Sequence, residues 1–148
     1  MCSIQTRLLI VCSVFLATAP AITSAATCAS LQSLMLPETT ITLSETVAAG
    51  TFALPGAPAQ QGSAFTDLPA FCRVTATLRP TSDSEINVEV WLPAMNWNSK
   101  FQAVGNGGWA GAINYPDMAD ALRRGYATSS PDTGHTGDGG AFALGHPE

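Results

Sequence analysis

Two glycine-rich stretches hold the residue types best suited to chemistry. The first, "KFQAVGNGGWAGAI" at 100–113, sets Gly105, Gly107, Gly108, Gly111 and Trp109 behind a short apolar run. The second, "PDTGHTGDGG" at 131–140, spaces Asp132, His135 and Asp138 among glycines and threonines. Glycine weakens strands and helices alike, so a cluster of it marks a place where backbone approaches something closely. That something is a phosphate, an oxyanion or the chain's own tight turn.

Phosphate fits poorly. From Gly105 the G-x-G-x-x-G register runs through Gly107 to Ala110, and no acidic residue ends a strand about twenty residues on, where "RGYATSS" lies. The chain's single lysine, Lys100, precedes the loop, so no G-x-x-x-x-G-K-[ST] exists. An oxyanion fits better. A backbone N–H in a loop after a strand can hold the negative oxygen of a tetrahedral intermediate, and a glycine amide turns to it without a Cβ in the way. Gly107 and Gly108 are the expected donors, with Trp109 walling the pocket.

Asp132, His135 and Asp138 match neither a zinc motif nor an EF-hand loop, so no metal is expected there. A triad of Ser130, Asp132 and His135 within one loop is sterically unfavourable, because triad members come from separate segments. His135 is read as bordering the substrate cleft, and His146 is given no role. The plain structural reading makes both stretches simple turns, with Trp109 as core filler.

The elements that must position these loops follow from periodicity. "FCRVTATLRP" alternates, and "SEINVEVWLP" puts Ile86, Val88, Val90 and Leu92 on one face, so the two form an antiparallel hairpin across "PTSDSE". "KFQAVG" is a further strand leading into the glycine loop. "YPDMADALRRG", 115–125, carries Met118, Ala121 and Leu122 at helical spacing, with Gly125 as its C-cap and Arg123 and Arg124 complementing its dipole. "YATSS", 126–130, is the next strand. Upstream, 28–36 reads as a short helical face, "TTITLSETVAAGTFALP" as two short strands separated by Gly50, and 55–69 as a Pro/Gly/Ala/Gln-rich loop. The order is that of an α/β protein with a largely parallel sheet.

The chain has 148 residues, enough for one domain with a real core. Its N-terminus reads as a secretory signal peptide, residues 1–25, followed by one domain at 26–148. Arg7 precedes the apolar run 8–19, and the small residues of "AITSAAT" suit cleavage after Ala25 or Ala26. That run is too short to span a membrane, so a secreted or periplasmic protein without a membrane partner is expected. Cleavage removes Cys2 and Cys12, and the two remaining cysteines, Cys28 and Cys72, are expected to pair as a disulfide. It also leaves five basic against eleven acidic residues, a net charge of −6, with no basic cluster, which excludes nucleic acid as a partner. Oligomeric state is left open.

At this point the segments "LPAFCRVTATLRPTSDSEINVEVWLP", "WNSKFQAVGNGGWAGAI" and "GYATSSPDTGHTG...FALGHPE" resemble the N-terminal part of the tannase and feruloyl esterase family. The resemblance implies a partial α/β-hydrolase fold, an oxyanion role for the Gly105–Gly111 loop, and a disulfide near the N-terminus. It implies a small-molecule phenolic ester, feruloyl or galloyl, as substrate. In the family a nucleophilic serine sits in a Cys-Ser-x-Gly-Gly elbow beyond the Gly-His-Pro-Glu stretch, and the Asp and His partners come later. No such elbow and no G-x-S-x-G occurs here: Gly62-Ser63 and Ser129-Ser130 lack the flanking glycines, and Cys2-Ser3 and Cys12-Ser13 fall in the leader. The expectation is therefore a fold truncated before the nucleophile elbow and inactive alone. No cofactor is expected within it, because the lid, with any calcium site it holds, is also absent. The rival reading is a small secreted phenol- or carbohydrate-binding module that uses Trp91, Trp97 and Trp109 as stacking surfaces.

Overall fold

A computed structural model describes residues 26–56 and 64–145. The expected leader, the middle of the 55–69 segment and His146 lie outside the described residues. Among the described residues five strands form one sheet: β1 (Thr39–Val47), β2 (Phe71–Leu78), β3 (Ile86–Pro93), β4 (Phe101–Ala103) and β5 (Ala127–Pro131), in the order β1-β2-β3-β5-β4. The helix α1 (Tyr115–Arg123) crosses from β4 to β5, and short 3₁₀ turns lie at Ala29–Ser33 and Gly140–Ala143.

The β2–β3 hairpin forms as its alternation requires, from Phe71 opposite Pro93 to Leu78 opposite Ile86. The sheet is not largely parallel, however. β1–β2, β2–β3 and β3–β5 are antiparallel, and only β4–β5 is parallel. A parallel pair needs a crossover connection. Among the described residues β4–α1–β5 is the one unit that provides it.

The helix starts and stops where its sequence says. Asn114 caps the N-terminus through its side-chain oxygen, which accepts from the Asp117 N–H at 3.2 Å, and Pro116 occupies the first turn. Arg124 is the C-cap, and Gly125 beyond it takes φ +78°. Met118, Ala119, Ala121 and Leu122 are buried against the sheet. Arg123 does more than face the dipole: it donates to both carboxylate oxygens of Asp67 and to the Ala64 carbonyl, which straps the 64–68 segment to the helix.

That strap corrects two expectations. Val47 ends β1, and after Gly50 (φ +70°) the chain turns inward rather than forming a second strand. A side chain at Gly50 would meet the Thr66 carbonyl at 2.7 Å. Phe52, Phe65 and Leu68 are buried, so both flanks of the Pro/Gly-rich segment belong to the core. Phe52, Phe71 and Trp91 pack at centroid distances of 4.6–5.8 Å between sheet and helix, and Phe65 meets Phe52 edge-on at 5.4 Å.

Cys28 and Cys72 are bridged, Cα to Cα 5.6 Å, as the cysteine arithmetic requires. The bridge ties the Ala29–Ser33 turn to β2, and the Ser44 hydroxyl on β1 donates to the Cys28 carbonyl. At the opposite edge β4 is outermost, and its Phe101 stays 57% exposed.

Candidate active site

Both glycine-rich stretches leave the C-terminal ends of the two parallel strands, 104–114 after β4 and 132–139 after β5. That end of an α/β sheet is where ligands bind. The stem of the first loop is pinned at both ends. The Val104 N–H donates to Ser129 O at 2.8 Å, and Asn106 Nδ2 donates to Pro131 O at 3.1 Å. At its far end the Asn114 N–H donates to the buried Ser130 Oγ at 3.0 Å.

The apex is different. The Ala110 N–H donates to Gly107 O at 3.1 Å and closes a tight turn in which Gly108 takes φ +59°. Among the described residues, nothing accepts from the N–H groups of Gly107, Gly108 or Trp109. A Cβ placed on Gly107 or Gly108 would meet no atom within 4 Å, so the apex faces open space. Gly111 is the reverse case. A Cβ there would fall on the His135 carbonyl and within 2.6 Å of its imidazole Cδ2. The glycine cluster thus serves two purposes, one open amide turn and one close crossing of loops.

The second loop supplies that crossing. The buried Asp132 carboxylate accepts from the Asn87 N–H and Nδ2, both at 2.9 Å, and from the Gly134 N–H at 2.8 Å, which fixes the turn. The Gly111 N–H donates to Gly137 O at 2.7 Å. His135 Nε2 lies 2.7 Å from Trp109 O and donates to it, because a carbonyl can only accept. Its ring stacks on Phe142 with centroids 3.8 Å apart and planes 8° from parallel. Trp109, 61% exposed, meets Phe142 edge-on at 6.3 Å. A groove of about 570 Å³ runs from His135 and Phe142 to Glu85 and Ile86 beside the β2–β3 turn. Trp109 and His135 are thus brought together, and Gly107 and Gly108 precede Trp109 in the turn without lining the groove. Phe142 joins Trp109 and His135 unforeseen, since a lone Phe in "GAFALG" carries no pattern.

Beneath this end of the sheet lies a buried ion pair that sequence reading missed. Glu89 on β3 accepts from Arg73 Nη2 (2.6 Å) and Nε (3.0 Å), from Tyr115 Oη (2.7 Å) and from Trp91 Nε1 (2.9 Å). Glu89 keeps the alternation of "INVEVWLP" on the face opposite Ile86, Val88, Val90 and Leu92, so the pattern gives no sign that it is buried. Burial, then the bond to Glu89, pushes the Tyr115 hydroxyl well above the usual tyrosine range. The same carboxylate raises Arg73 further, against the effect of its own burial. This network seats Tyr115, the residue that opens α1 directly after the glycine loop.

The family model described as tannase and feruloyl esterase matches residues 72–148, which includes both loops. The chain belongs to the tannase and feruloyl esterase family. It is 46% identical over 127 residues, 84% of its length, to an uncharacterized esterase of Xanthomonas campestris pv. campestris, of which it covers 21%. The crystal structure of feruloyl esterase B from Aspergillus oryzae superimposes with a TM-score of 0.66 at 31% identity, over 76% of this chain and 22% of that one. Another Aspergillus oryzae esterase structure gives 0.64 at 33%, over 77% and 23%. The chain spans about a fifth of the length of these relatives.

In this family member the residues of the local Ser130–Asp132–His135 arrangement engage other groups. Ser130 is fully buried and accepts from Asn114, Asp132 faces Asn87 and Gly134, and His135 faces Trp109 and Thr133. Trp91 lies in the core with no exposed surface, so it offers no stacking face. Trp97 is exposed, but it precedes β4 whereas Trp109 follows it, which sets the two at opposite ends of that strand.

Proposed function

We propose that this chain is the N-terminal part of a secreted carboxylic ester hydrolase with an α/β-hydrolase fold. It acts on feruloyl or galloyl esters of plant phenolic acids by serine acyl transfer. A serine attacks the ester carbonyl, the alcohol leaves, and water hydrolyses the acyl-enzyme. In that reaction residues 26–148 supply the oxyanion loop and part of the cleft. Gly107 and Gly108 offer backbone N–H groups to the tetrahedral oxygen, and Trp109 borders the substrate. The serine, acid and histidine belong to sequence outside these 148 residues, so the chain alone hydrolyses nothing.

One observation carries the reading: an open turn of unengaged amides at the C-terminal end of the parallel pair. These amides are exposed, so water serves them in the free protein and they stay available to a ligand that displaces it. One such donor contributes on the order of 3–4 kcal/mol to an acyl-transfer transition state. The strand order β2-β3-β5-β4 and the esterase relatives support the fold assignment. The disulfide and the leader-like N-terminus support export.

The test is to extend the reading frame past Glu148 and assay the complete product on methyl ferulate and methyl gallate. A frame that runs into a Cys-Ser-x-Gly-Gly elbow and yields turnover of either ester supports the proposal. A frame that stops at Glu148 and yields a folded, ester-binding but inactive protein supports the binding-module reading instead.

A further inference from the structure

We infer that His135 is a positioning residue that sets the geometry of the glycine-loop apex, rather than a wall that touches substrate. The contacts are mutual and specific. His135 Nε2–H holds the Trp109 carbonyl at 2.7 Å, directly after the two free glycine amides. The peptide that carries this carbonyl is the one whose N–H, on Ala110, closes the turn onto Gly107 O, so holding the carbonyl holds the turn that presents the amides of Gly107, Gly108 and Trp109. Two residues later, Gly111 passes so close to His135 that no side chain fits there, and its N–H is tied to Gly137. The apex is therefore clamped from one side by a single loop, and the imidazole is the only side chain in that clamp that bonds the turn itself among the described residues.

The imidazole is in turn held on several sides. Phe142 stacks on its face at 3.8 Å, Thr133 Oγ1 lies 3.2 Å from Nδ1, and Asp132 fixes the turn that presents it. With its ring stacked on Phe142 and its Nε2 committed to the loop, His135 has no free nitrogen facing the apex. It acts through the backbone of residues 107–110. The kinetic consequence rests on the oxyanion reading above, but the positioning claim does not.

The experiment uses the protein expressed from its complete reading frame, with two variants. His135→Phe keeps an aromatic ring for Phe142 and removes the donor, whereas His135→Gln keeps an amide donor of similar reach. Amide hydrogen exchange is followed at Gly111, with Leu122 in α1 as the control for global folding. His135→Phe is expected to speed Gly111 exchange about tenfold while Leu122 is unchanged, and His135→Gln to restore most of the protection. In ester hydrolysis the Phe variant is expected to lower kcat with KM little changed, and Gln to recover it. Unchanged Gly111 exchange in His135→Phe overturns the inference. So does a change in KM alone, which would make His135 a substrate contact. If the protein hydrolyses no ester but the exchange effect appears, the positioning claim stands and the oxyanion reading falls.

Discussion

Two polar regions lie within a few residues of each other at one end of the sheet, and they are built on opposite principles. Around Glu89 every lone pair has a donor: Arg73 binds both oxygens, and Tyr115 and Trp91 complete the set. At the apex of the glycine loop, three successive amides have no acceptor among the described residues. A buried charge is tolerated only when its partners are complete. An exposed donor is tolerated because water can serve it, and it remains free for a ligand. On the proposed reading the difference separates structure from site: the satisfied cluster holds the loop's exit, and the unsatisfied turn is left open to a ligand.

The comparison is broken most severely at Glu89. Glu89→Ala leaves the Arg73 guanidinium, 14% exposed, buried without its main counter-charge and strands the Tyr115 and Trp91 donors. A loss of about 3–5 kcal/mol is expected by denaturant titration, a large part of the roughly 5–15 kcal/mol available to a whole domain. A loss below about 1 kcal/mol would show the pair to be dispensable. Reduction of the Cys28–Cys72 bridge should cost roughly 3–4 kcal/mol on chain-entropy reasoning for a 44-residue separation. Non-reducing peptide mapping of exported protein should find the two cysteines linked.

Tyr115→Phe probes the same cluster more gently. It removes one hydrogen bond to a carboxylate, about 1.5–3 kcal/mol at neutral pH. The hydroxyl's raised pKa in the folded state means that its stabilisation is fully present below the unfolded value of 10.0 and is lost as pH rises from there through the higher folded value. Wild type should therefore lose stability above that pH by an amount the Phe variant lacks. Identical alkaline profiles would contradict the Tyr115–Glu89 bond. The smallest effect is expected at the apex itself: Gly107→Val meets no atom within 4 Å and should change stability by less than about 0.5 kcal/mol.

Much of the frame was legible because short-range patterns govern it. The alternation of β2 and β3 and the helical spacing and Gly125 stop of α1 follow from residues near in sequence, and the cysteine pair follows from there being two cysteines beyond residue 25. What was not legible depends on distant partners. Phe52, Phe65 and Leu68 sit singly among Pro and Gly, so no period marks them as core, although the Arg123 strap and the aromatic cluster bury them. The sheet's antiparallel majority was hidden because the neighbour of β5 across the sheet is β3, a pairing that crosses about forty residues of chain. Of the site, the glycine loop announced itself by composition. That Gly111 is small to admit His135, whereas Gly107 and Gly108 are small to leave amides open, needed the second loop in place.

The central claim is that the apex amides serve a transition state. Its most direct test is the kinetics of ester hydrolysis by the complete reading-frame product, wild type against Gly107→Val, on methyl ferulate and methyl gallate. A β-branched side chain would occupy the space into which those amides open. The account predicts a fall in kcat of about 10²–10³ with KM little changed and the thermal melt preserved. Wild-type turnover that Gly107→Val leaves intact, or activity and stability lost in equal measure, would contradict it.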